Sequence, residues 1–190
     1  MKLLLHICCA PCSAACIKVL REENIDIKGY WYNPNIHPYK EYENRLNALK
    51  EYSKMINLDV VYYDYYGLRE FTQNVYDKLD NRCEYCYVSR MENVAKYAKE
   101  NGYDAFTTTL FISPYQKHEL IIKVAEQMAK KYGVEFIYQD FREGFRIGQQ
   151  MARDAALYMQ KYCGCVFSEE ERYLKTKIGK KEIYENKKDI

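Results

Sequence analysis

Short apolar segments alternate along the chain with longer segments whose apolar positions recur at helical spacing. The strand-like segments are 2–7, 25–32, 58–66, 104–111 and 134–141. The helix-like segments are 13–23, 39–56, 68–79, 87–100, 114–133, 144–161 and 168–176. Strands that alternate with helices form a mostly parallel sheet with helices on both faces. The pattern therefore predicts a three-layer, doubly wound α/β domain with about five strands.

Residues that begin and end helices support several of these boundaries. Ser13 is the predicted N-cap of the first helix, and the segment 114–133 begins with proline and ends with glycine. No linker, repeat or low-complexity segment divides the chain. We therefore predict one catalytic domain over 1–176 and a basic C-terminal tail over 177–190.

Length and composition agree with a soluble globular protein: 190 residues, 48% hydrophobic, 29% charged, with a formal net charge of +2. The start, "MKLLLHICC", differs from a lipoprotein signal because a histidine interrupts the apolar run after the leucines. No apolar run is long enough for a membrane span. We expect a cytoplasmic protein without membrane attachment. Its 8 cysteines should then not form structural disulfides.

Seven of those cysteines fall into three groups. They are Cys8, Cys9 and Cys12; Cys83 and Cys86; and Cys163 and Cys165. The first group follows the first predicted strand, at the sheet edge where ligands bind in such folds. The CxxC spacings allow two sulfurs to meet at one metal centre, and Gly164 permits a tight turn between its neighbours. Cys16 stands apart and is interpreted as a small buried hydrophobe.

Several kinds of site could use these thiols. Zinc is saturated by four thiolates, so seven candidates exceed its need, whereas a cubane cluster uses four and leaves about three. A thioredoxin-like reading of "CAPC" leaves the other two groups unexplained. The sequence contains neither GxxxxGK[ST] nor GxGxxG, so no motif supports nucleotide binding. The cysteine count favours iron–sulfur chemistry with a further centre or function beside it.

Six stretches of the sequence carry a family resemblance. They are "LLHICCAPCS", "NPNIHPYKEYENR", "CEYCYVSRM", "FTTTLFISPYQKH", "FIYQDFREGF" and "YMQKYCGCVFS". Together they resemble the cobalamin-independent epoxyqueuosine reductases, the QueH family, from residue 3 to about 168. The resemblance implies the last step of queuosine biosynthesis, in which an epoxide on the tRNA wobble nucleoside is reduced to an alkene. We expect the fold to be adenine-nucleotide-hydrolase-like, with the nucleotide site given over to metal.

The resemblance also implies a cofactor set and partners. It implies a [4Fe–4S] cluster with an additional iron ion, and all seven grouped cysteines match the family motifs, whereas Cys16 does not. The partners would be a tRNA carrying epoxyqueuosine at the wobble position and an external electron donor. Converting an epoxide to an alkene consumes two electrons, whereas a single cubane passes one at a time. A second iron would therefore act as a Lewis acid and relay the other electron.

Two residues are candidates for catalysis. An iron that binds oxygen favours a hard ligand, and Asp140, at the predicted end of the fifth strand, is our candidate for both metal binding and catalysis. The alternative is that Asp140 caps a helix or pairs with Arg142. His37, in the turn "NPNIHP", is a candidate proton donor or tRNA contact.

Five residues are candidates for substrate binding. Thr108 and Thr109 offer hydroxyls to a ribose or cyclopentane diol, Tyr115 and Tyr162 could stack on anticodon bases, and Arg142 could contact a phosphate. Each has an ordinary structural alternative, since threonine favours strands, tyrosine packs in cores and arginine pairs with surface carboxylates.

Two other functions stay open on the residues alone. A zinc-binding RNA-interaction module would use four of the thiols and leave three free. A tRNA thiolation-type enzyme would share the fold but should carry a loop such as SGGxDS, which this sequence lacks. The assignment of individual cysteines to the cluster or to the second metal is likewise open.

Overall fold

The fold is built on one five-stranded parallel sheet. The computed structural model describes residues 1–174. The strands are β1 (Lys2–His6), β2 (Asp26–Trp31), β3 (Val60–Tyr62), β4 (Ala105–Thr108) and β5 (Glu135–Phe136). Their order is β3-β2-β1-β4-β5, and all four pairings are parallel. The predicted α/β fold class is confirmed. The strand order reverses direction between β1 and β4, and such switch points form ligand-binding crevices.

Seven α-helices accompany the sheet within the described part of the chain. They are α1 (Ala10–Glu22), α2 (Tyr39–Met55), α3 (Leu68–Val75), α4 (Arg82–Glu100), α5 (His118–Tyr132), α6 (Phe145–Asp154) and α7 (Val166–Leu174). α1 packs against α2 and α6, whereas α4 packs against α5. None of the helices in residues 1–174 is long and apolar enough to cross a bilayer.

The core explains why β1 lies at the centre of the sheet. Leu3, Leu4 and Leu5 are fully buried, and they belong to the same core cluster as the small residues Ala14 and Ala15 of α1. Apolar side chains on both faces of a strand are typical of parallel sheets with helices on each side. The segment "LLL" is therefore part of a buried strand, as predicted, and this strand lies at the centre of the sheet.

Several boundaries differ from the predictions in ways that affect the candidate site. α1 begins at Ala10, so the predicted N-cap Ser13 lies inside the helix and donates to the carbonyl of Ala10 (2.8 Å). The actual N-cap is Cys9, and Pro11 fits the first turn because its missing N–H has no helical partner there. α4 begins at Arg82 rather than near residue 87, so "CEYC" lies within the helix.

The carboxyl-terminal third also differs from prediction. β5 ends at Phe136 rather than near residue 141. α6 ends at Asp154 rather than near residue 161, because Ala156 takes a left-handed conformation (φ 52°) that a helix cannot continue. The residues after it form the loop that carries "CGC". The predicted tail 177–190, and positions 175–176 of the last predicted helix, lie outside the described residues.

Candidate metal centre

Three cysteine sulfurs converge at the switch point of the sheet. The Sγ atoms of Cys8, Cys9 and Cys12 lie within 4.8 Å of one another. Among residues 1–174 they form the one group of three or more His, Cys, Asp or Glu side chains close enough to hold a metal ion. Cys8 and Cys9 are buried and Cys12 is partly buried. These sulfurs are soft donors, which suit zinc, copper(I) or iron–sulfur centres.

The start of α1 places these sulfurs. Cys9 caps the helix, and the N–H of Cys12 donates to the Cys9 sulfur (3.4 Å). The N–H of Cys8 donates to the hydroxyl of Thr109, which follows β4 (3.1 Å). The free N–H groups at a helix N-terminus also favour negative charge. The local backbone is therefore arranged to stabilise anionic sulfur.

Hydrogen bonds within the group separate the acidities of its thiols. Hydrogen bonds from Cys12 and Cys9 lower the pKa of Cys8 well below its usual value, with the hydroxyl of Thr109 assisting. Burial raises the pKa of Cys9, and the hydrogen bond to Cys8 raises that of Cys12. Metal ions bind the deprotonated thiolate, so metal binding here would release the protons that Cys9 and Cys12 retain.

A cavity of about 510 Å³ opens above the three cysteines, and this volume lies in the usual range for ligand pockets. Its inner lining is cysteine-rich and polar: Cys8, Cys9, Cys12, Cys163, Asn33, Asn35, Arg45, Arg90, Thr109, Gln116 and Gln160. Further lining residues include the aromatic Tyr115, Phe145 and Tyr162 and the basic Lys161 and Arg172.

Glutamine side chains donate hydrogen bonds to the sulfurs from two directions. The Nε2 of Gln160 lies 2.9 Å from the sulfur of Cys9 and 3.4 Å from that of Cys12. The Nε2 of Gln116 donates to the sulfur of Cys163 (3.3 Å). Neither glutamine is among the site residues predicted from the sequence. Gln160 precedes "CGC" within a family motif, which was the available signal.

In the second cysteine group, Cys86 accepts hydrogen bonds from an arginine. Arg90 lies one helical turn after Cys86 in α4, and its guanidinium donates to the Cys86 sulfur (2.9 Å) and carbonyl (3.1 Å). Burial raises the pKa of Cys86 to about 12, although the charge of Arg90 opposes the shift. The spacing of four residues places both side chains on one helix face and was a signal that the sequence analysis missed.

The remaining predicted cysteines lie in three environments. Cys83 is partly buried and packs against the main core. Cys86 and Cys165 are buried in a small apolar cluster with Phe71 and Val75, separate from the main core. Cys163 is exposed and lines the cavity. The structure therefore joins Cys163 to the same cavity as the first group. It places Cys86 within hydrogen-bonding distance of a cavity-lining arginine.

A buried ion pair holds the "CGC" loop. Arg45 donates to the carbonyls of Tyr162 (2.9 Å) and Cys163 (2.8 Å), while its Nε contacts the Glu41 carboxylate at 2.7 Å. Tyr158 donates to the other oxygen of Glu41. Arg45 and Glu41 are not among the site residues predicted from the sequence, although they are spaced four residues apart on α2.

His37 holds the same loop through its backbone and ring. Its N–H donates to the carbonyl of Gly164 (2.8 Å), and its carbonyl accepts from the hydroxyl of Tyr162 (2.6 Å). Its Nδ1 accepts from the N–H of Val166 (3.4 Å). Gly164 has φ 154°, a conformation rarely adopted by other residues. The turn between Cys163 and Cys165 is thus anchored on both sides.

Comparison with known proteins identifies the family. The family model described as "Epoxyqueuosine reductase QueH" matches residues 3–171. The chain belongs to the QueH family. The resemblance predicted from the sequence motifs is therefore confirmed.

Three members of the QueH family align over most of their length. The epoxyqueuosine reductase QueH of Dehalococcoides mccartyi is 41% identical over 172 residues, covering 90% of this chain and 94% of its own. The homologue from Thermotoga maritima is 35% identical over 178 residues, covering 89% and 91%. The Staphylococcus aureus homologue is 33% identical and covers 95% and 81%.

Two solved structures share the fold at low sequence identity. One is a predicted subunit of tRNA methyltransferase from Methanocaldococcus jannaschii, with a TM-score of 0.51, 13% identity and coverage of 93% of this chain and 87% of that chain. The other is the U34-tRNA thiolase NcsA from Methanococcus maripaludis with its [4Fe–4S] cluster. Its TM-score is 0.57 at 16% identity, covering 93% and 66%. At these identities the likeness concerns the fold.

The structure separates the predicted catalytic residues of this QueH chain from the cavity lining. Asp140 lies beyond the end of β5, half-exposed, where it pairs bidentately with Arg142. That pairing lowers the pKa of Asp140 to about 2. His37 is fully buried, and burial lowers its pKa to about 4. Within residues 1–174, the lining of this cavity includes none of these three side chains.

Some of the predicted substrate-binding residues line the cavity, and others do not. Thr109 lines the cavity beside Cys8, and Tyr115 and Tyr162 line it as well. Tyr115 is 85% exposed, so its ring faces solvent. Thr108 instead points into the sheet, where its hydroxyl pairs with His6 (2.9 Å).

Proposed function

We propose that this protein reduces epoxyqueuosine in tRNA to queuosine, as its family name describes. The reaction adds two electrons and two protons, breaks both epoxide C–O bonds, forms the alkene and releases the oxygen as water. The observation that carries the proposal is the convergence of Cys8, Cys9 and Cys12 at the floor of a cavity in a QueH-family chain.

We infer that the cysteines hold an iron–sulfur cluster and an additional iron ion. The donor set fits such a group, because three thiols converge and Cys163 lines the same cavity. Cys86 accepts a hydrogen bond from Arg90, which also lines this cavity. We propose Cys83 and Cys165 as further ligands on the motif match. When bound, the cluster supplies single electrons and the iron supplies a Lewis acid.

The chain's own polar residues would keep the sulfurs anionic and oriented. Thr109, Gln160 and Gln116 each donate to the sulfur of a different cysteine in the cavity lining. Hydrogen bonds to ligand sulfurs are one of the means by which proteins set cluster potentials. An external donor must supply the electrons, and dithionite can take its place in an assay.

The aromatic and basic residues around the cavity suit a nucleic acid. A modified base inside an anticodon must leave its stack to reach a buried centre. We propose that Tyr115 and Tyr162 stack on bases at the cavity entrance and that Thr109 contacts the substrate. Lys161 and Arg172 would contact phosphates.

The remaining candidates already make contacts in this structure, and these contacts bear on the roles proposed for them. As a metal ligand and catalytic residue, Asp140 would have to exchange its ion pair with Arg142 for the metal, and phosphate binding by Arg142 would require the same exchange. Substrate binding by Thr108 would require its hydroxyl to leave His6. For His37, the contacts favour a role in positioning the "CGC" loop, and proton donation stays a prediction.

Anaerobic reconstitution followed by an activity assay tests the proposed function. We expect brown protein that contains more iron than one cubane cluster per chain. With dithionite, it should convert epoxyqueuosine-tRNA to queuosine-tRNA, measured by mass spectrometry of nucleosides as the loss of one oxygen. Colourless protein that retains stoichiometric zinc after reconstitution would instead support the zinc-module alternative. Iron-loaded protein that leaves the epoxide intact would contradict the proposal.

Tyr115 offers a specific test of the proposed tRNA contact. Stacking on one base contributes about 1–3 kcal/mol, so Tyr115→Ala should weaken tRNA binding about 5- to 150-fold without changing the iron content. Tyr76→Ala provides a matched control, since Tyr76 is 77% exposed and is not among the residues lining the described cavity. Filter binding or fluorescence anisotropy gives the dissociation constants. Equal affinities of the two variants would show that Tyr115 makes no such contact.

A further inference from the structure

Arg90 is a buried cation that lacks a carboxylate partner. Its side chain is 2% exposed, and within residues 1–174 no Asp or Glu forms an ion pair with it. Arg45, the other buried arginine of the cavity wall, pairs with Glu41 at 2.7 Å. Among the described residues, the fold therefore places a buried positive charge without a carboxylate partner in the wall of the cysteine cavity.

Such a charge needs a compensating negative charge nearby. Removing a charged group from water is unfavourable by several kcal/mol unless an opposite charge and hydrogen bonds replace the solvent. The ionisable groups beside Arg90 are thiols: its guanidinium contacts the sulfur of Cys86, and Cys8 and Cys163 line the same cavity. The contact with the Cys86 sulfur, at 2.9 Å, is a charge-assisted hydrogen bond when that sulfur is anionic.

Arg90 also lies close to cysteines from all three groups. It is anchored on α4 by its bond to the carbonyl of Cys86, and it lines the cavity that contains Cys8, Cys9, Cys12 and Cys163. The ring of Tyr87 lies 5.7 Å from the guanidinium carbon and restricts its position. A guanidinium held in this way acts on negative charge in the cavity without having to move.

We propose that Arg90 is a positioning residue that provides the counter-charge for the cysteine-bound metal centre and raises its reduction potential. The inference rests on the proposed function only in assuming that the cysteines bind a redox-active metal centre. A fixed positive charge stabilises the reduced, more negative state more than the oxidised state, and net charge and hydrogen bonds to sulfur set cluster potentials.

Potentiometric titration of the anaerobically loaded full-length protein tests this role in the absence of tRNA. Arg90→Gln retains a hydrogen-bond donor but removes the charge, and we expect the equilibrium constant for reduction to fall at least tenfold. For a one-electron couple this corresponds to a shift of about 59 mV to more negative potential. Arg90→Lys, which retains the charge, should recover most of the difference. Arg153→Gln removes an exposed arginine of α6 and should leave the potential unchanged.

The possible outcomes separate electrostatics from simple packing. An unchanged potential in Arg90→Gln at full iron content would overturn the proposal. If Arg90→Gln fails to retain iron, retention of iron at near wild-type potential by Arg90→Lys would support the charge requirement. Loss of iron from both variants would overturn the proposal and leave Arg90 with a structural role that only arginine geometry satisfies.

A second measurement distinguishes a phosphate contact. If Arg90 binds a tRNA phosphate instead, Arg90→Gln should weaken tRNA binding and reduce its salt dependence by about one ion, with no change in potential. That result would overturn the proposal. The potential shift could also appear in protein that fails to convert epoxyqueuosine-tRNA, in which case the proposed function would fail while the role of Arg90 stands.

Discussion

Replacing Cys12 by serine should remove iron from the protein and lower the rate of epoxide reduction at least about 100-fold. The three sulfurs of Cys8, Cys9 and Cys12 lie within 4.8 Å of one another, so the loss of one leaves an incomplete donor set. A serine hydroxyl is a harder and less acidic ligand than a thiol, so it is a poor replacement for thiolate at an iron–sulfur centre. Iron content, the visible absorption spectrum and the yield of queuosine-tRNA measure the effect.

Cys16 provides the matched control on the same helix. Its sulfur is buried and donates to the carbonyl of Cys12 (3.3 Å), and Cys16 does not belong to the three-sulfur group. Cys16→Ala should therefore retain iron and activity and only lower the free energy of unfolding by about 1 kcal/mol through lost packing. Full iron content in Cys12→Ser, or equal loss of iron in both variants, would contradict the assignment of Cys12 as a ligand.

Replacing Glu41 by glutamine should lower the free energy of unfolding by about 3 kcal/mol, the usual scale for breaking a buried ion pair. Arg45 is 2% exposed, and the change would leave its charge without a carboxylate. The thiol of Cys9 is a further negative partner of Arg45 when it is ionised. Burial raises the pKa of Cys9, so this thiol keeps its proton in metal-free protein and loses it when it binds a metal. Metal-free protein should therefore show the larger loss of stability. Urea unfolding under anaerobic conditions measures the free energy for both metal-free and metal-loaded protein.

The same change should also reduce metal retention, because Arg45 holds the carbonyls of Tyr162 and Cys163. Glu43→Gln is the matched control on α2. The pair of Glu43 with Lys40 is exposed, and exposed pairs contribute at most about 1 kcal/mol. Similar destabilisation by the two substitutions would show that the buried pair contributes no more than a surface pair.

Local patterns were sufficient to predict the sheet and most of its helices. "KLLLHI" is a buried strand because apolar side chains on both faces need cover from helices on both sides. Gly133 ends α5 in the left-handed conformation (φ 64°), as a glycine after a helical pattern predicts. Where a boundary was wrong, a specific contact explains it: the sulfur of Cys9 replaces the hydroxyl of Ser13 as the cap of α1.

The candidate site was predicted less completely than the fold. Cysteine is rare enough for its spacing to be informative, so Cys8, Cys9, Cys12 and the "CGC" pair were selected from the sequence. Glutamine and arginine occur on most surfaces, so the helical spacing of Cys86 and Arg90 and the motif position of Gln160 are weaker signals than the spacing of the cysteines. Asp140 was placed at the end of a strand by β-propensity, whereas β5 ends at Phe136 and the carboxylate pairs with its neighbour Arg142.

The sequence by itself therefore determined the alternation of strands and helices, the QueH family motifs and the identity of the thiols, because each of these depends on residues close together in the chain. The tertiary structure alone decided which side chains act on those thiols. Gln160 and Cys9 are 151 positions apart, and Thr109 and Cys8 are 101 apart, yet both pairs are in hydrogen-bonding distance. Such contacts arise only when the strand order brings the ends of β1 and β4 together and the "CGC" loop folds over them.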